Sequence, residues 1–109
     1  MTTQIGTVPS QEEFQSAVDM LKLLGDETRL RIIWALQHSE HSVNELAKLV
    51  GAQPAGVSQH LAKLRLARLV RTRRDGNRIF YMADDLHVRR LVEEVLSHAD
   101  HITRGSHDG

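Results

Sequence analysis

The chain has 109 residues, which fits one domain with a modest core, and a domain this short often gains stability by dimerising. Hydrophobic residues at 40% and charged residues at 26% exclude a disordered chain, and no apolar run approaches the roughly 20 residues of a membrane span. Net charge is zero and there is no cysteine, which removes disulfides, thiolate metal sites and cysteine catalysis; the polar start carries no secretory signal, so the expected compartment is the cytoplasm.

Residues 1–9 lack periodicity and read as a flexible arm. Ser10 and Glu13 form a capping box, and Phe14, Val18, Leu21 and Leu24 follow at helical spacing until Gly25. Asp26 suits the cap of a second helix carrying Leu30, Ile33, Trp34 and Leu36, which runs out near residues 37–39. Ser42 and Glu45 form another capping box, and the short helix behind it stops at Gly51. Pro54 suits the first turn of a fourth helix, where a missing N–H costs nothing, and Val57, Leu61 and Leu64 mark its inward face. Two short helices with a glycine at the turn make a helix-turn-helix.

Residues 69–73 and 78–82 then read as strands around a turn, Arg74-Asp75-Gly76-Asn77, with the Asp-Gly pair supplying the bend. This hairpin with arginines at its tip is a wing. Asp84 or Asp85 caps a last helix carrying Leu86, Leu91, Val92, Val95 and Leu96. The expected fold is mainly α with a small β-hairpin: a winged helix-turn-helix of five helices and a two-stranded wing. It occupies residues 10–102, between the arm and a flexible tail at 103–109.

Zero net charge argues against nucleic acid, but the distribution argues for it. Between Pro54 and Phe80 stand Lys63, Arg65, Arg68, Arg71, Arg73, Arg74 and Arg78 against the single acid Asp75. A basic stripe on a helix-turn-helix is the footprint of phosphate binding. The second helix of the motif enters the major groove, so Gln53, Ser58, Gln59, His60 and Lys63 are candidate contacts to bases or phosphates. His60 reads equally as a base contact or as an exposed helical histidine. Arg73, Arg74, Asn77 and Arg78 of the wing suit phosphate or the minor groove.

These motifs resemble the ArsR/SmtB repressors. The run Leu24-Gly25-Asp26-Glu27-Thr28-Arg29-Leu30-Arg31-Ile32-Ile33 is similar to that family's opening. Residues 42–47 and 57–64 are similar to its helix-turn-helix, and residues 73–81 to its wing. The resemblance runs from about Met20 to His101 and implies a homodimer that represses an operon until a metal ion or another signal arrives.

The last helix holds Asp85-x-His87, then ten residues, then His98-x-x-His101. His98 and His101 share a face and can chelate one ion. His87 and His98 lie eleven residues apart, about 16 Å along a helix axis, so one straight helix cannot bring both to one ion. Two antiparallel copies can, with Asp85 and His87 of one subunit meeting His98 and His101 of the other in two equivalent sites. One carboxylate and three imidazoles suit tetrahedral Zn²⁺, with Co²⁺ and Ni²⁺ as alternatives. The pattern also resembles the inter-subunit site of the zinc-sensing branch of the family, whose dimers pair through the first and last helices. Where the family's other common site has cysteines, this chain has Ser42, Val43 and Asn44, which disfavours soft-metal sensing. His107 and Asp108 are possible extra ligands in the tail, though a plain polar tail is the commoner reading. The alternatives are a nickel or cobalt sensor, and a winged-helix regulator that senses no metal. An enzyme is not expected: the chain has no nucleophile motif, phosphate loop or acid pair, and four protein ligands leave a zinc no open position.

Overall fold

Side-chain caps set where the first three helices begin. The computed structural model describes residues 7–108, with side chains through residue 105. Helix α1 (Gln11–Leu24) starts at Ser10, whose hydroxyl accepts from the Glu13 N–H while Glu13 accepts from the Ser10 N–H. Helix α2 (Glu27–His38) starts where Asp26 accepts from the Arg29 N–H. Helix α3 (Val43–Val50) repeats the capping box with Ser42 and Glu45. It ends at Gly51, whose φ of 69° lies in the left-handed region that favours glycine. Helix α4 (Pro54–Leu66) opens with proline in its first turn.

After α4 the chain turns through Arg68, a non-glycine residue at φ 63°. The Leu69 N–H reaches back to the Leu64 carbonyl at 2.9 Å and closes the helix end. Strands β1 (Val70–Asp75) and β2 (Arg78–Ala83) pair antiparallel, from Val70 opposite Ala83 to Asp75 opposite Arg78. Asp75 therefore belongs to the ladder, and the turn is Gly76-Asn77 rather than one centred on Asp75 and Gly76. Only Gly76 of those two has positive φ, as a type II′ turn requires. His41 and Tyr81 exchange two backbone hydrogen bonds (3.0 and 2.8 Å), fastening β2 to the loop between α2 and α3.

Helix α5 (Leu86–Asp108) is one unbroken helix. It continues past residue 102 into the segment 103–109, which the sequence reads as a flexible tail. Thr103 donates to the Ala99 carbonyl and Arg104 to the Asp100 carboxylate, both at 2.8 Å, and these local bonds support the extra turns. Residues 1–6 of the expected arm, and the side chains of His107 and Asp108, lie outside the described residues. These five helices and two-stranded hairpin form a winged helix-turn-helix.

Helix α2 packs against the other four helices and β2, so its buried face is broad. Ile32, Ile33, Ala35 and Leu36 are buried there with Leu46, Val57, Leu61, Leu64, Val88 and Val92. Trp34, expected with that set, is instead 51% exposed. In α1 only Leu24 is buried, and Phe14, Val18 and Leu21 form an exposed apolar stripe at helical spacing. In α5 Leu86 and Val95 are exposed too, because Val88 and Val92 are the residues that meet the core.

Candidate nucleic-acid interface

The inward face of α4 fixes what its other face can offer. Val57, Leu61 and Leu64 have no exposed surface, so the helix is locked in rotation. Gln53, Ser58, Gln59 and Lys63 are all exposed as a result. Gly56 lies half-buried on the same helix, and a Cβ there would meet nothing within 4 Å.

His60 is not an exposed helical histidine: it is half-buried and bonded within the chain. Arg29 of α2 lies 3.1 Å from its Nδ1, and the Arg29 Nε donates to the Leu23 carbonyl of α1 at 2.6 Å. Asp26 completes the corner. The Arg29 backbone N–H holds its carboxyl below the usual range, helped by the charge of Arg29.

The wing cations are placed by carboxylates and an aromatic ring. Arg73 makes a two-pronged ion pair with Glu40. Arg78 lies 3.7 Å from Glu45, and both guanidiniums sit 4.8 Å from the Phe80 ring centroid. The side-chain bond from Arg73 lowers the Glu40 pKa and raises that of Arg73. Glu45 is lowered first by the Ser42 N–H, then by His41 and Arg78. The side chains of Arg74 and Asn77 are exposed at the tip and make no hydrogen bond or ion pair among the described residues. Arg29, Glu40, Glu45 and Phe80 contact the candidate residues, and sequence patterns did not single them out for it.

The last helix keeps the expected ligands apart. Asp85 caps α5 by accepting from the Val88 N–H at 2.9 Å. The side chains of His87, His98 and His101 are exposed and make no hydrogen bond or ion pair among the described residues. No three His, Cys, Asp or Glu side chains among the described residues come together within one chain. Among those residues no helix is long and apolar enough to cross a membrane.

A locked recognition helix beside a cationic wing defines a winged helix-turn-helix DNA-binding protein. Residues 26–72 match the family model described as bacterial regulatory protein, arsR family. The chain is 52% identical over 88 residues to the HTH-type transcriptional regulator KmtR of Mycobacterium tuberculosis, covering 81% of this chain and 68% of that one. It is similar to the crystal structure of the AntR antimony-specific transcriptional repressor, with a TM-score of 0.82, 32% identity and coverage of 93% of this chain and 92% of that one. It also resembles the homodimeric winged helix-turn-helix domain of Mb0332 from Mycobacterium bovis, a possible ArsR-family regulator, with a TM-score of 0.78, 26% identity and coverage of 94% and 95%. The chain belongs to the ArsR family and is a DNA-binding transcriptional regulator, not an enzyme.

Proposed function

We propose that this regulator is a cytoplasmic homodimeric repressor that a divalent metal releases from its operator, Zn²⁺ first, with Co²⁺ or Ni²⁺ as the alternative ions. The carrying observation is the unbroken α5 with Asp85 and His87 at one end and His98 and His101 three turns on. The donor set fits the ion. Asp85 spends one oxygen on its helix cap and keeps the other, and the three exposed imidazoles have no competing partner among the described residues. One carboxylate and three imidazoles are a hard-to-borderline set of the kind zinc takes. Within one chain the two pairs are about 16 Å apart, so a site needs a second copy.

The exposed apolar stripe of α1 (Phe14, Val18, Leu21) and the exposed Val95 of α5 offer a surface for that copy. One structural relative is described as homodimeric, and another as an antimony-specific repressor. In the dimer, Gln53, Ser58, Gln59 and Lys63 face the major groove, with Arg73, Arg74, Asn77 and Arg78 on the flanking backbone. Metal, when bound, fixes the angle between the two α5 helices. If that angle suits the operator poorly, metal and DNA oppose each other by about 1–3 kcal/mol.

Operator affinity measured against rising Zn²⁺, in wild type and His98→Ala, tests the reading. Zinc should weaken DNA binding by wild type and leave the variant unaffected. Equal wild-type affinity with and without zinc overturns it.

A further inference from the structure

The contact between Arg29 and His60 fixes a proton position. Arginine carries only donors, so at 3.1 Å the Arg29 guanidinium donates and the His60 Nδ1 accepts. A ring accepting at Nδ1 is neutral and carries its single N–H at Nε2. That N–H has no partner among the described residues.

His60 stands on α4 between Gly56, four residues before it, and Lys63, three after. Residues at these spacings share a helix face. The Nε2–H thus belongs to a helix whose neighbouring positions are a bare backbone and an exposed ammonium. Arg29 is itself held at its Nε by the Leu23 carbonyl at 2.6 Å, and its backbone N–H bonds Asp26 at 3.0 Å. Its guanidinium therefore cannot rotate away from the ring without giving up a second bond.

We propose that Arg29 is a positioning residue for DNA recognition: it holds His60 as the neutral Nε2–H tautomer and so presents an N–H donor from α4 to an acceptor on the operator. A histidine left to itself exchanges tautomers and offers either a donor or an acceptor. Fixing the tautomer turns His60 into a dedicated donor, suited to a phosphate oxygen or to the acceptors of a purine edge. Arg29 touches no DNA in this account. It also ties the end of α1 to the recognition helix through one side chain.

The proposal rests on α4 being the DNA-reading helix, and its test separates the two. Nitrogen NMR of the imidazole in the DNA-free wild-type protein near neutral pH should show His60 protonated at Nε2 alone. A ring protonated at Nδ1, or at both nitrogens, overturns the proposal whatever the DNA result. Affinity is then measured for a duplex that the wild-type chain selects from a random-sequence pool. His60→Gln, whose amide reaches the Nε2 position, should bind within about twofold of wild type. His60→Asn, which reaches only the Nδ1 position, should lose about three- to tenfold, the size of one hydrogen bond. Arg29→Gln should lose a similar factor beside His60 and nothing further beside His60→Gln. Arg29→Gln costing the same in both backgrounds, or His60→Asn binding like wild type, overturns the positioning role. Failure of wild type to select any duplex would instead sink the DNA reading of α4.

Discussion

Arg73 of the wing and Glu40 of the loop before α3 meet in a two-pronged ion pair across 33 residues of sequence. The wing arginine that sequence patterning offers to phosphate is thus already held by a carboxylate. DNA must compete with Glu40 for it, or accept the wing where Glu40 puts it.

Glu40→Gln should release Arg73 to the DNA backbone. Each cation that newly neutralises a phosphate adds about 0.9 to the slope of log affinity against log salt. The variant should bind operator more tightly at low salt, with a slope steeper by about that amount. An unchanged or shallower slope would mean that Arg73 serves DNA from within the pair.

The same carboxylates set an acid limit on the wing. Glu40, bonded by Arg73, and Glu45, bonded by the Ser42 N–H, both have folded pKa values below their ordinary 4.5. A lowered folded pKa gives a contribution that is present above 4.5 and lost as pH falls through the lower folded value. Resonances of the Phe80 ring, which lies under Arg73 and Arg78, report this directly. They should hold steady down to the ordinary value and shift only below it. A transition at or above 4.5 contradicts the assignment.

Gly56 has no structural reason within the chain to be glycine. It is helical, its φ is not positive, and a Cβ would meet open space. Gly56→Ala should stabilise the fold by about 0.5–1 kcal/mol, read as a higher melting temperature. If operator affinity falls while stability rises, close approach of DNA to the α4 backbone accounts for the glycine. A lower melting temperature contradicts the helix assignment at this position.

Local signals carried most of the fold. Ser10 with Glu13 and Ser42 with Glu45 announce helix starts because the capping bonds span only three residues. Pro54 and Gly51 mark the turn between α3 and α4 in the same way. The hairpin was legible to within two residues: Gly76 supplies the positive φ, and Arg74 and Asp75 extend the ladder. The far end of α5 was not legible, since its support comes from weak pairs such as Arg104 with Asp100. The contacts that His60 and Arg73 make within the chain were not legible for a different reason. Their partners, Arg29 and Glu40, stand 31 and 33 residues away, and periodicity cannot see that distance. Trp34 reads in sequence with the apolar residues Leu30, Ile33 and Leu36 of α2, yet it lies half-exposed beside His38.

A metal site shared between subunits has a consequence that mixing two variants reads out. One variant carries Asp85→Ala with His87→Ala, the other His98→Ala with His101→Ala. Each homodimer lacks half of both sites, whereas a mixed dimer retains one complete set of four ligands. Neither variant alone should respond to zinc, and co-refolded mixtures should regain zinc-dependent operator release. Release by either homodimer alone, or none by the mixture while wild type responds, would contradict a shared site.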